Sequence, residues 1–167
     1  RIEHFIQRKA MDIDSLGEKT IGQLYLLGLV KSPADLYDLT YENLVQLDGF
    51  KDKSIKNLLE GIENSKLTSF ESVLFAIGIR YVGKTVAEKL ARHFKTIDKI
   101  AGATKEELLA APEVGDKIAQ SLLEFFQLAE NRREIERLRK AGLNLESTSK
   151  EPEKDSDVLA NKSFVIS

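Results

Sequence analysis

The sequence predicts an all-α fold made of helix pairs joined by short bends, on three observations. A bend that opens and nears its end on apolar residues, usually with glycine at the close, recurs four times at 32- to 34-residue intervals: Ile13–Gly17, Leu47–Lys51, Ile79–Gly83 and Ala111–Gly115. After each bend, small or apolar residues follow at +3, +4 and +7, the spacing that lays one helix face on a core. They are Thr20, Ile21 and Leu24; Ser54, Ile55 and Leu58; Val86, Ala87 and Leu90; Ile118, Ala119 and Leu122. No strand pattern precedes Glu146.

Taken in order, residues 3–12 read as a short helix with Phe5 and Ile6 inward and Arg8 and Lys9 outward. The first bend starts a helix through about Leu27, stopped by Gly28. Ser32-Pro33 starts the next, with Ser as N-cap and Pro in the first turn. Thr40 caps a short helix that ends at the second bend, and a longer one runs from about Lys51 to Asn64. Thr68-x-x-Glu71 and Thr104-x-x-Glu107 have capping-box spacing. Helices are therefore expected near 69–77, 84–94, 97–101, 105–110 and 116–128. Asn131-x-x-Glu134 opens a last helix that Gly142 ends.

The pattern is also an internal repeat. Shifted by 64 residues, Thr40, Glu42, Leu44, Asp52, Lys53, Leu58, Leu59 and Glu60 fall on identical residues at 104–124. The reading is four helix–hairpin–helix motifs arranged as a duplicated pair, filling residues 13–145. A helical solenoid whose turns only connect helices is the alternative. From Glu146 the chain turns Ser-, Lys- and acid-rich, so 146–157 read as a linker. Residues 158–167 turn apolar and β-prone, an incipient strand belonging to a further domain.

Composition bounds the chemistry. There is no cysteine, which excludes disulfides and thiolate metal sites from this sequence. His4 and His93 are the only histidines, and no P-loop or nucleophile motif accompanies them. His93, at a helix end, suits dipole compensation better than metal binding. Long apolar runs and a signal-peptide pattern are absent, so a cytoplasmic, membrane-free monomer is expected. The net charge of −2 comes from the last 22 residues, since residues 1–145 carry 22 basic and 22 acidic side chains. Any polyanion must therefore be held by local charge, not by the total.

The bends supply that locality. A helix start leaves N–H groups unpaired at the positive end of the dipole, a place that suits phosphate. Gly17, Gly83 and Gly115 are expected to form the tight turn and let phosphate approach the backbone, with Gly49 doing so earlier in its bend. Lys19, Lys51, Lys53, Lys84 and Lys117, with Arg80, would neutralise phosphates, and the Thr85 hydroxyl would donate to one. The +3 residues Thr20 and Ser54 are expected to pack. Ser15, Tyr81 and Glu113 stand where the second bend has Gly49. Tyr81 packs on sugar or folds over the core, while Glu113 would weaken the fourth bend. Contacts of this kind read position and not bases, so binding is expected to be duplex-directed, sequence-independent and along the minor groove.

The runs Arg8–Lys19, Pro33–Tyr37, Leu74–Gly83 and Leu159–Ile166 resemble bacterial NAD-dependent DNA ligases. The resemblance implies a C-terminal fragment of such an enzyme. Residues 1–12 would be the exit from a zinc finger and a first helix, and 158–167 the start of a BRCT-type domain. It further implies that the parent uses NAD, Mg and structural Zn to seal nicks in replication and repair. Catalytic, cofactor-binding and metal-binding residues would lie outside this fragment. Nicked double-stranded DNA and the other domains of the same chain are the implied partners. A protein-interaction scaffold, or a stand-alone repair accessory module of degenerate hairpins, is the alternative.

Overall fold

Short helices and tight turns make up the computed structural model, which describes residues 2–13 and 16–147. The helices are α1 (Ile2–Ile6), α2 (Glu18–Leu26), α3 (Tyr41–Leu44), α4 (Asp52–Ser65) and α5 (Phe70–Ile77). They continue as α6 (Lys84–Phe94), α7 (Ile97–Ala101), α8 (Lys105–Leu109), α9 (Asp116–Gln127) and α10 (Ala129–Ala141). A 3₁₀ helix covers Pro33–Asp38 between α2 and α3. Among the described residues there is no strand, only one antiparallel bridge between Thr96 and Glu146.

The all-α expectation holds, and the helices of the second half match their expected bounds closely. Gly28, Gly78 and Gly142 end α2, α5 and α10 with φ of 75°, 78° and 103°, a left-handed step that glycine takes without strain. Three local readings need correction. The first helix stops at Ile6, because the Met11 N–H bonds the Phe5 carbonyl and the Ala10 and Asp12 N–H groups share that of Gln7, winding 7–12 into turns. Thr68 does not cap α5, which begins after Ser69; the Thr68 carbonyl instead accepts from Asn144 Nδ2 at 2.8 Å. Asn131 and Glu134 form no capping box, since α10 already begins at Ala129.

One continuous apolar core runs from Ile2 to Leu145 and passes through every helix pair. The +7 residues Leu24, Leu58, Leu90 and Leu122 are fully buried, so each post-bend helix is pinned one turn and a half beyond its start. The first and fourth bend residues are apolar anchors as well. Ile13, Leu16, Leu47, Ile79, Val82, Ala111 and Val114 are buried, and Phe50 is partly so.

Polar joints fasten the last helix back onto the first half. Glu134 accepts from Ser32 Oγ at 2.9 Å and from the Ala34 N–H at 2.8 Å. Arg137 reaches Asp35 at 2.6 Å and Asp38 at 2.8 Å. Burial opposes ionisation of Asp35, but donation from the Lys31 and Ser32 N–H groups and from Arg137 outweighs it and lowers its pKa. Beyond α10, Ile97 donates to Leu145 at 2.9 Å and Ser147 to Lys95 at 2.6 Å, so pairing reaches two residues into the segment read as linker. The rest of the expected linker and the segment 158–167 lie outside the described residues.

Candidate nucleic-acid interface

All four bends close on the same hydrogen bond. The N–H of the fourth residue donates to the carbonyl of the first: Leu16 to Ile13, Phe50 to Leu47, Val82 to Ile79 and Val114 to Ala111, at 3.0 to 3.4 Å. In the three bends described throughout, the third residue is left-handed, with φ of 82° at Gly49, 70° at Tyr81 and 64° at Glu113. Ser15, the first bend's counterpart, lies outside the described residues.

The closing glycines do not make the tight turn expected of them. Gly17, Gly83 and Gly115 sit at N-caps with φ of −95°, −83° and −92°, ordinary extended backbone, and Lys51 takes the same place at −120°. No tight turn requires glycine there. A Cβ built on any of the three glycines meets nothing within 4 Å, so protein packing does not require glycine either. What their bareness leaves is an open approach to the helix start.

That start is undersupplied with acceptors. Carbonyls of Gly17, Lys51, Gly83 and Gly115 take the first intrahelical bond, from Ile21, Ile55, Ala87 and Ala119. Among the described residues no acceptor serves the N–H groups of 18–20, 52–54, 84–86 or 116–118. By contrast Thr40, Thr96 and Thr104 cap α3, α7 and α8 with their own hydroxyls. Helices α5 and α10 are also uncapped, so a missing cap alone does not single out the hairpins; its combination with a bare approach and nearby cations does.

Expected cations divide into two groups. Lys19, Lys51, Lys53, Arg80 and Lys117 are exposed, and none is paired with a carboxylate among the described residues. Lys84 is turned inward: its ammonium donates to Ser72 Oγ at 2.6 Å and to the Lys9 carbonyl at 3.0 Å. It therefore fastens α6 to α5 and to the chain entering the first bend. Thr85 is exposed, as is Ser54, whose expected packing role the structure does not support.

Three acids beside the bends, Asp52, Glu113 and Asp116, have partners that sequence reasoning missed. Asp52 accepts from Tyr41 Oη at 2.8 Å and pairs with Lys56 at 3.2 Å, and these contacts lower its pKa, the Tyr41 bond foremost. Asp116 pairs with Lys105 at 3.0 Å, and Glu113 lies 3.9 Å from Lys89. The 64-residue shift carries Tyr41 onto Lys105 and Asp52 onto Asp116, so the repeat held the signal.

In each half, a bend of one hairpin is fastened to the second helix of the other. The Asp48 N–H in the second bend donates to Gln23 Oε1 on α2 at 3.0 Å. In the second half Ser121 Oγ on α9 donates to the Arg80 carbonyl at 2.7 Å, and Tyr81 shares a depression with Gly115 and Lys117. His4 is not a metal ligand here: its ring nitrogens bond the Phe75 carbonyl and Gln7 Nε2. No group of three or more His, Asp or Glu side chains among the described residues is placed to hold a metal.

Helix starts of this kind, each set behind a bend, are what a helix–hairpin–helix motif presents, and residues 72–141 match the family described as helix-hairpin-helix motif. That match covers the third and fourth hairpins. The whole chain is 60% identical to a DNA ligase of Cytophaga hutchinsonii and 52% identical to one of Flavobacterium psychrophilum. A DNA ligase of Anoxybacillus flavithermus is 46% identical over 98% of the chain. In each case the chain spans about a quarter of the relative's length and aligns with one segment of it.

Proposed function

We propose that this chain is the duplex-gripping segment of an NAD-dependent DNA ligase, holding nicked DNA while other domains perform the chemistry. The observation that carries the reading is the set of unpaired N–H groups at 18–20, 52–54, 84–86 and 116–118, three of the four sets behind the open approach that Gly17, Gly83 and Gly115 leave. A phosphate docked there accepts hydrogen bonds from a positive dipole end, and Lys19, Lys51, Lys53, Arg80 and Lys117 add mobile charge around it. None of these groups reads a base edge, so the grip is sequence-independent and follows the minor groove. By the resemblance to NAD-dependent ligases, NAD, Mg and structural Zn belong to the parent chain; this sequence has no cysteine for a thiolate zinc site. The segment works in the cytoplasm as part of a monomeric enzyme.

Titrating the 167-residue chain with nicked 30-base-pair duplexes of unrelated sequence, at several salt concentrations, tests this. With about six phosphates neutralised, log affinity should fall against log salt with a slope near −5, alike for every sequence. A slope near zero, or strong sequence preference, would sink the reading.

One observation favours a protein-interaction role for a different face. Tyr25, Leu26 and Leu27 are all exposed at the end of α2, Leu26 at 85%. That face lies at the opposite end of α2 from Gly17 and suits contact with other domains of the parent chain.

A further inference from the structure

The sequence left Tyr81 between two roles, packing on a sugar or folding over the core, and in the structure the ring is not folded over the core. The side chain is 50% exposed, and its ring is engaged by cations. Arg80 Cζ lies 5.0 Å from the ring centroid and Lys117 Nζ 5.9 Å from it. Arg80 belongs to the third bend and Lys117 to the first turn of α9, so one aromatic ring collects a cation from each of two hairpins. Two positive groups brought to one ring repel each other in the absence of an anion, and neither has a carboxylate partner among the described residues.

Backbone cost makes the arrangement informative. Tyr81 is left-handed at φ 70°, where the second bend has Gly49 at 82°. An L residue is strained there and glycine is not. Nothing in the turn itself requires a tyrosine, since Gly49 and Glu113 close the same hydrogen bond at their bends. The neighbouring groove takes Arg80 and Tyr81 from one hairpin and Lys117, Gln120 and Ser121 from the other; its two acids, Asp116 and Glu124, are engaged by Lys105 at 3.0 Å and by Gln120 Nε2 at 3.0 Å. Ser121 Oγ, bonded to the Arg80 carbonyl at 2.7 Å, fixes the bend against α9.

We infer that Tyr81 is a positioning residue, whose ring holds Arg80 and Lys117 as a joint anion site between the third and fourth hairpins. The ligand is a backbone phosphodiester of duplex DNA, and the inference rests on the duplex-binding reading. The ring's electron-rich face draws both cations to it and limits the side-chain freedom each loses on binding. The strained backbone is kept because the ring is needed. Hairpins three and four then bind as one unit, and the fourth bend, where Glu113 argues against a phosphate, is compensated by Lys117.

Three variants of the 167-residue chain test it: Tyr81→Phe, Tyr81→Leu and Tyr81→Gly, measured by thermal melting and by binding to a 30-base-pair duplex. Phe keeps the ring and should bind like the wild type. Leu keeps the bulk and the strain, and should weaken binding roughly fivefold. Gly removes the strain, so the melting temperature should stay level or rise while affinity falls by a similar factor. In the Gly variant, Arg80→Ala and Lys117→Ala should become additive, whereas they are coupled in the wild type. If the wild type binds with the expected salt slope but the Gly and Leu variants bind as tightly as the wild type, the positioning role is refuted and the duplex reading stands. If the wild type shows no salt-dependent binding, both fall.

Discussion

The second and fourth hairpins lie 64 residues apart on one repeat, share a backbone course, and distribute their side chains in opposite ways. Each bend has a left-handed third residue, Gly49 at φ 82° and Glu113 at 64°, followed by an extended N-cap, Lys51 at −120° and Gly115 at −92°. The second hairpin puts its glycine where the backbone favours one. The fourth puts it two residues later, where the backbone is indifferent and no neighbour crowds a side chain. A glycine that neither torsion nor packing explains is best accounted for by something outside the molecule that approaches closely. The pair also differs in how the N1 aspartate is held, by the Tyr41 hydroxyl together with Lys56 in one and by Lys105 in the other.

The largest difference between the two hairpins concerns their anchoring. Tyr37, in the 3₁₀ helix, bonds Ser65 at the end of α4 at 2.8 Å, while its repeat counterpart is the exposed Ala101. Burial pushes the Tyr37 hydroxyl up to about 12, the Ser65 bond opposing. A raised folded-state pKa stabilises the protein fully below the unfolded value near 10, and that contribution is lost as pH climbs toward 12. The loss should reach roughly 2–3 kcal/mol. Denaturant melts between pH 9 and 12, compared with Tyr37→Phe, isolate it; parallel curves for the two proteins would remove Tyr37 as the anchor.

Swapping glycine between the bends should have a smaller effect of opposite sign in each. Gly49→Ala forces an L residue to φ 82° and should destabilise by about 1 kcal/mol. Glu113→Gly relieves the same strain and should stabilise by about 1 kcal/mol, since the Lys89 contact it removes is exposed and weak. It also removes a negative charge beside the proposed phosphate site, so duplex affinity should rise. Chemical denaturation of both variants checks the signs; a destabilised Glu113→Gly would mean the bend depends on its side chain.

What the sequence made legible was whatever rests on local spacing. The four bends, the +7 leucines and Gly142 each depend on residues within two turns of one another, and all stand where expected. Readings failed where tertiary partners competed. Asn131 Nδ2 goes to the Phe125 carbonyl and Glu134 to Ser32 and Ala34, so neither is left to cap its own helix. The inward turn of Lys84 depends on Ser72 and Lys9, the second of them 75 residues away. The expected site is likewise only half local. The unpaired N–H groups follow from the bends alone, but the pairing of bends through Gln23–Asp48 and Ser121–Arg80 needs the fold.

The bare N-caps carry the account, and filling them tests it most directly. In a Gly17→Ser, Gly83→Ser, Gly115→Ser variant each new hydroxyl would accept from the N–H groups now open, as Thr104 does for α8. Stability should hold or rise by a few tenths of a kcal/mol, because serine caps slightly better than glycine. Affinity for nicked duplex should nevertheless drop about tenfold or more, the donors being already engaged. A variant equally stable and equally tight would contradict the claim that these amides grip the phosphate backbone.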